Sequence, residues 1–367
     1  MTDRFLPNWA SPPGQTISQL MSRAGLTTIG LASKLNLTTS EATSLLAGMS
    51  DLSGQIAEKL SGVLGGTTDY WMKREAQFRA DLAKIPIERR YNADWLNSMP
   101  YAELVGLGWL KNRVGDKERA EEVLNFFGIF LSTQWRLRYT PAVVGKAFRT
   151  SPSFDTRHEA VTAWLRQGER IGAAMECRNW NPTRFRERLI EIRKLTKNKF
   201  PTTFIPELRK ICADCGVALV IARTPSGCHA SGATQFLSKN KALLMLSFRF
   251  KTDDQFWFSF FHEAGHLLVH DIDEMFIDEQ IDRHTDSKEE EEANQFAADL
   301  LVAKENRAEM LKLPLRAADV IRFAVKNGVS SGIVVGQMQY AGVLEYKHLH
   351  KLKRRFSEAD IDKVASL

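Results

Sequence analysis

Two histidines four residues apart flank a glutamate in the run His262-Glu263-Ala264-Gly265-His266. On an α-helix, positions i and i+4 share a face, so both imidazoles can reach one ion. Glu263 is one position round from His262 and can sit beside a remaining coordination position. Two neutral imidazoles and a carboxylate leave a divalent ion such as zinc one open position for water. The ion lowers the pKa of that water towards about 7, and a glutamate can take its proton during attack on a polarised carbonyl. The spacing thus points to metal-assisted hydrolysis, with His262 and His266 as ligands and Glu263 as general base. Chance histidines in a buried helix are the weaker explanation, because the run lies in a capped helix apolar enough to be central. His270 continues the same face. It is expected to be structural or to support a ligand, since three histidines of one helix rarely converge on one zinc.

A third ligand is expected from the stretch KEEEEANQFAADLLV, 288–302. Four consecutive glutamates suit the first turn of a helix, where they favour its dipole. Helical facing separates them. Glu290 shares a face with Ala293, Asn294, Ala297 and Leu301, a small-residue face on which another helix can pack closely. Glu292 shares a mixed, outward face with Gln295, Phe296 and Asp299. Glu289 aligns with Ala293 and Phe296. Glu290 is therefore the expected ligand, with Glu289 and Glu292 as alternatives. Asn294, one turn on, is placed to hydrogen-bond a ligand histidine and orient it.

These residues need a scaffold, and the flanking sequence supplies one. Phe185 to Leu195 and Ile205 to Cys212 have the i, i+3, i+4 apolar spacing of helices. Val217–Ala222 is a β-branched run bounded by Gly216 and by Thr224-Pro-Ser-Gly227, and reads as a strand. Ala233 to Leu237 and Ala242 to Phe248 make two more, joined by a hairpin at 238–241. Thr252-Asp-Asp254 then caps a long helix from Gln255 to about His270. Helices, a small sheet, then helices is an α+β pattern. Cys212 and Cys215 extend an apolar helix face and are expected as buried thiols rather than a second zinc site with Cys228 and His229. The basic tail KHLHKLKRR, 347–355, is expected as a solvated helix face.

The N-terminal region reads as a helix-turn-helix. Leu31, Ala32 and Leu35 face inward from a first helix, Leu37 fills the turn, and Ala42, Leu45 and Leu46 pack a second helix capped by Thr38 or Thr39. Two further helices are expected over 53–64 and 67–82. A DNA-reading helix normally offers Arg, Lys, Gln or Asn to bases and phosphates. Here the candidates are Thr38, Thr39, Ser40, Thr43 and Ser44, with Lys34 flanking. Residues 1–90 carry 10 Lys+Arg against 8 Asp+Glu, a weak balance for a DNA module, so dimerisation or protein docking is the competing role. The region 91–181, with Trp95, Trp109, Trp135, Trp164 and Trp180, reads as a helical connector with a tryptophan-containing core.

The chain has 367 residues, 44% hydrophobic and 26% charged, with a net charge of +6. This is ordinary globular composition over two or three domains, which excludes disordered and collagen-like classes. The N-terminus MTDRFLPNWASPPG lacks a signal-peptide pattern. No apolar run of about 18 residues is present to span a membrane. Four cysteines in so long a chain fit a reducing compartment. A cytoplasmic protein without a membrane partner is expected.

FHEAGHLLVH followed by EEEANQFAADLLV resembles the ImmA/IrrE family of zinc metallopeptidases, as does SGATQFLSKNKALLMLSFRFKTDDQFWFSFFHEAGH. With the tail SSGIVVGQMQYAGVL, the similarity runs over roughly 182–356. The N-terminal helices resemble the Xre-like domain of HigA-type antitoxins, including Pro13-Gly14 and TTDYWMKREAQF. The resemblance implies a zinc cofactor held partly by a glutamate of the second helix. It also implies a protein substrate, such as a DNA-binding repressor, cleaved to relieve repression. The expected fold is therefore multidomain. An all-α helix-turn-helix domain (1–90) and an α+β zincin-like metallopeptidase domain (182–367) are joined by a helical connector (91–181). The expected function is a zinc endopeptidase acting in transcriptional or toxin–antitoxin control, with operator DNA and a homodimer as possible partners. The alternative is a non-catalytic regulator or sensor built on the same zinc fold; the intact Glu263 favours the enzyme.

Overall fold

The computed structural model describes residues 10–139, 157–270, 276–278 and 288–365. Residues 1–9, on which the reading of the N-terminus partly rests, lie outside the described residues. Contacts divide the chain into two units, Met1–Lys146 with His158–Arg166, and Ala147–Arg157 with Gln167–Leu367.

The first unit is helical. Helices α1 (Pro13–Arg23), α2 (Thr28–Leu35), α3 (Thr39–Leu46), α4 (Gly54–Leu64) and α5 (Thr68–Lys84) surround Ile17, Leu31, Leu35, Leu45, Leu60 and Trp71. The starts of α2 to α5 are set by side chains: Thr27, Thr38, Ser53 and Thr67 each accept a backbone N–H from the first turn. At Gly14 the first turn of α1 meets the last of α3, where a Cβ would lie 1.9 Å from the Leu46 carbonyl oxygen. Helices α6 (Ala93–Ser98), α7 (Tyr101–Gly106), α8 (Asp116–Phe127), α9 (Ser132–Tyr139) and the first half of α10 (His158–Ala174) complete the unit.

The connector expected over 91–181 is not a third unit. The Gln134 side chain donates to the Ala47 carbonyl at 3.0 Å, and Phe130 and Leu131 pack on Phe78, Leu82 and Ile85. Residues 91–139 thus belong to the same unit as the N-terminal helices and pack on the end of α5, outside the core around Ile17 and Trp71. Trp95 and Trp135 are buried in this unit, whereas Trp180 lies in the other, against Phe185 and Phe236.

In the second unit, α11 (Pro182–Leu195) and α12 (Pro201–Asp214) precede β1 (Val217–Ile221), β2 (Gly232–Ser238) and β3 (Lys241–Leu246). Then come α13 (Asp253–Val269), β4 (Phe276–Asp278), α14 (Lys288–Leu301), α15 (Lys304–Leu311), α16 (Ala317–Asn327), α17 (Ser331–Tyr340) and α18 (Glu358–Ala365). The sheet order is β1-β3-β2-β4; β1 runs parallel to β3, and β2 antiparallel to β3 and β4. β4 is a short strand that the sequence reading did not contain.

α13 is the central helix. Phe256, Trp257, Phe260, Phe261 and Ala264 are buried in the core, and each large side chain contributes about 1.5–3 kcal/mol. That offsets the cost of burying His262, Glu263 and His266 on the same helix. The helix starts at Asp253 rather than Gln255, and Thr252 makes no side-chain cap. Asp253 instead accepts from the Ser330 hydroxyl (2.7 Å) and the Arg354 N–H (2.9 Å), while Lys353 pairs with Asp254 at 2.6 Å. The basic tail is therefore solvated only in part, with Lys347, Lys351 and Arg355 exposed, and it is not a continuous helix. Only a turn at His350–Leu352 is helical, and Arg354 donates to the carbonyls of Thr196, Lys197 and Asn198 at the end of α11. Arg354 closes a helix end and Lys353 balances a buried aspartate.

Candidate metal centre

α13 and α14 approach closely because both present small residues. A Cβ on Gly265 would meet the Ala293 Cα at 3.3 Å and Phe296 at 3.1 Å. Ala293 and Ala297 are fully buried. This approach brings the Glu290 carboxylate to the two histidines. One of its oxygens is 3.2 Å from Nε2 of His262 and the other 3.3 Å from Nε2 of His266. The two Nε2 atoms are 3.0 Å apart.

The outward nitrogens are occupied. His262 Nδ1 lies 3.0 Å from Asn294 Oδ1, an oxygen that can only accept, so the ring proton sits on Nδ1 and the Nε2 lone pair faces inward. His266 Nδ1 lies 3.0 Å from His270 Nδ1, and His270 Nε2 is 3.3 Å from Glu292. Glu292 also pairs with Lys288 at 3.2 Å. His270 thus supports His266 from behind, and Glu292, read from sequence as outward, reaches back to His270. Phe258 stacks beside His262 with ring centroids 6.2 Å apart.

Electrostatics favour the ligand forms. Burial holds the His266 imidazole at a pKa of about 4, so it is neutral at neutral pH. Burial pushes the Glu290 carboxyl up, but hydrogen bonds and positive charge at the two facing Nε2 positions hold the group well below the usual carboxylate range, the role a cation would fill once both imidazoles are neutral. Two inward imidazole lone pairs and a carboxylate form a cation's donor set. Their separations approach the roughly 3.3 Å edge expected when ligand atoms sit about 2.0–2.1 Å from a tetrahedral zinc. His262, His266 and Glu290 could therefore form a metal site, with ligand atoms all within 4.8 Å of one another.

Glu263 is fully buried beside this cluster. One neighbour of Glu263 carries little signal in the sequence. Gly232, the first residue of β2, lies so close that a Cβ there would meet Glu263 Oε1 at 2.4 Å. A glycine at a strand end signals such an approach only weakly, and the strand pattern of the sequence begins one residue later, at Ala233. Cys212, Cys215 and Cys228 are buried, and burial pushes the Cys212 thiol up.

The candidate DNA contacts behave differently. Thr38 is buried in a capping box: its hydroxyl accepts the Glu41 N–H at 3.1 Å while Glu41 accepts the Thr38 N–H at 2.8 Å. The Thr43 hydroxyl donates to the Thr39 carbonyl at 2.8 Å. Thr39 and Ser44 are half-buried, and only Lys34 and Ser40 of the six are exposed. Thr38 therefore starts α3 rather than reaching outward.

Among the described residues, no helix is long and apolar enough to cross a membrane. No curated protein and no solved structure matches the chain significantly. Residues 219–336, well under half of the chain, match Peptidase_M78, described as the IrrE N-terminal-like domain and typically zinc-dependent. The segment carrying His262, His266 and Glu290 is therefore similar to an IrrE-type metallopeptidase domain.

Proposed function

We propose that this chain is a zinc-dependent endopeptidase that cleaves a regulatory protein of repressor or antitoxin type, with an N-terminal helix-turn-helix that contacts DNA. The observation that carries the enzymatic reading is the convergence of His262, His266 and Glu290 beside the buried Glu263. His262, His266 and Glu290 would hold the ion; Asn294 and His270 orient the two imidazoles. When bound, zinc supplies Lewis acidity, polarising a carbonyl and acidifying water. Glu263 accepts the proton of the attacking water on a carboxylate oxygen and delivers it to the leaving amine nitrogen. The buried setting excludes bulk water from that transfer.

The DNA part rests on helix order and resemblance, with Lys34 and Ser40 as the exposed contacts on α2 and α3. A Glu263→Gln variant tests the whole reading. It should retain zinc, because the side chain is not a ligand, lose cleavage, and capture the protein substrate in a pull-down from cells of the source organism. Loss of zinc from Glu263→Gln would contradict its assigned role. Recovery of cleavage products with this variant would remove the general base.

A further inference from the structure

We propose that Gly232 is a positioning residue for Glu263: its missing side chain leaves the space in which the carboxylate is held. Any substituent there displaces the base while leaving the metal ligands in place. The inference rests on the reading of Glu263 as general base, and it adds a second element, the sheet, to a site otherwise built from two helices.

Gly232 opens β2, paired with Leu246 of β3 and Asp278 of β4. A Cβ at this position would meet Glu263 Oε1 at 2.4 Å, Cγ at 2.7 Å and Cδ at 2.8 Å. Non-bonded heavy atoms normally approach to about 3.5–4.0 Å, so the glutamate would have to move from Cγ outward. The helix cannot yield, because Phe260, Phe261 and Ala264 fix α13 in the core on both sides of Glu263. What can yield is the Glu263 rotamer, and with it the position of the carboxylate.

The backbone does not ask for glycine. Gly232 is not among the residues with positive φ, and glycine within a strand is less favourable than alanine. The approach of Glu263 is therefore what requires a residue without a side chain. The three atoms nearest to the added Cβ all belong to Glu263 and none to His262, His266 or Glu290. A substitution should accordingly separate base from ligands.

The test starts with a stability cycle on the full-length, metal-free protein, using Gly232→Ala, Glu263→Ala and the double variant. Gly232→Ala should lower the Tm by about 3 °C or more in the native background. With Glu263→Ala present, the same change should leave the Tm unchanged or raise it. Equal shifts in the two backgrounds would overturn the contact, and this outcome does not depend on zinc or substrate. Zinc affinity, measured by chelator competition, should change by less than about threefold in Gly232→Ala; a tenfold loss would show that the ligands had moved. If the native chain binds no zinc, the metallopeptidase reading fails while the stability cycle still decides the contact. On the protein captured by the Glu263→Gln trap, kcat of Gly232→Ala should fall about 100-fold, with KM within about threefold. An unchanged kcat would overturn the positioning role.

Discussion

The helix pairs α13–α14 and α2–α3 both carry polar side chains where a function is expected, yet they use them differently. In α13–α14, His262, His266 and Glu290 are withdrawn from solvent and aimed at one point, with Asn294 and His270 bonded to the outward ring nitrogens. Withdrawing such groups from water is costly unless something compensates, and a cation at their meeting point would compensate all three. In α2–α3, the hydroxyls of Thr38 and Thr43 are consumed by the helix itself. Helix formation alone accounts for them. Polar residues indicate function when the fold places them at a cost it does not otherwise recover.

The largest expected effect probes the meeting point. Glu290→Ala should weaken zinc binding by more than about 100-fold, beyond the roughly 10–100-fold range typical of groups outside the ligand set. Glu292→Ala, which loses contacts to His270 and Lys288 only, should cost less than about tenfold. Chelator competition measures both. Equal losses would mean that the α13–α14 contact does not single out Glu290.

Asp253 shows that burial of a charge is not by itself a sign of chemistry. Its partners, Ser330, Arg354 and the adjacent Asp254 with Lys353, explain it as a joint between α13, α17 and the tail. Burial raises its pKa from 3.8 to about 6. The folded state therefore holds this proton more firmly than the unfolded chain, and the stability it contributes at low pH is lost as pH rises through about 6. Asp253→Asn should thus be more stable than the native chain at pH 7, by up to roughly 3 kcal/mol. The gap should close towards pH 4. Denaturant titrations of both proteins with chelator present, from pH 4 to 7, read this directly. A gap independent of pH would assign the effect to hydrogen bonding rather than to ionisation.

Asn294 gives a smaller, graded effect. Asn294→Ala removes the acceptor on His262 Nδ1 and should lower zinc affinity about 10–100-fold, whereas Asn294→Asp retains an acceptor and should recover most of it. Native affinity in Asn294→Ala would show that the ring needs no such support.

Legibility in the sequence followed the range of the forces involved. Helix starts at Ser53 and Thr67 were readable because a cap is decided within four residues, and β1 and the hairpin β2–β3 because β-branched runs and a turn are local. Glu290 could be separated from Glu292 because facing on one helix is local too. Long-range partners were not readable. The Arg354 bonds to the end of α11, Gln134 on the Ala47 carbonyl, and Gly232 against Glu263 join residues distant in sequence. The same limit explains the connector: its tryptophans announce a core, but not that residues 91–139 join the unit of the N-terminal helices.

The smallest effects concern α2–α3, where structure and function can be pulled apart residue by residue. Thr38→Ala removes a buried capping box and should cost about 1 kcal/mol of stability in the first unit. Ser40→Ala and Lys34→Gln alter exposed side chains and should stay within about 0.5 kcal/mol. DNA binding should rank them the other way. A module with 10 Lys+Arg against 8 Asp+Glu over residues 1–90 can neutralise few phosphates, so the full-length chain should show a shallow dependence of log K on log[salt]. Each phosphate contact contributes about 0.9 to that slope. Lys34→Gln should flatten it by about that amount, Ser40→Ala should weaken binding without changing it, and Thr38→Ala at a temperature where the unit stays folded should leave it alone. Isotherms on promoter DNA from the chain's own locus, at several salt concentrations, separate these outcomes. If Lys34→Gln leaves both affinity and slope unchanged, or if no binding is seen at low salt, then α2–α3 docks protein rather than DNA. The two helix pairs would then differ in kind of partner as well as in how they spend their polar groups.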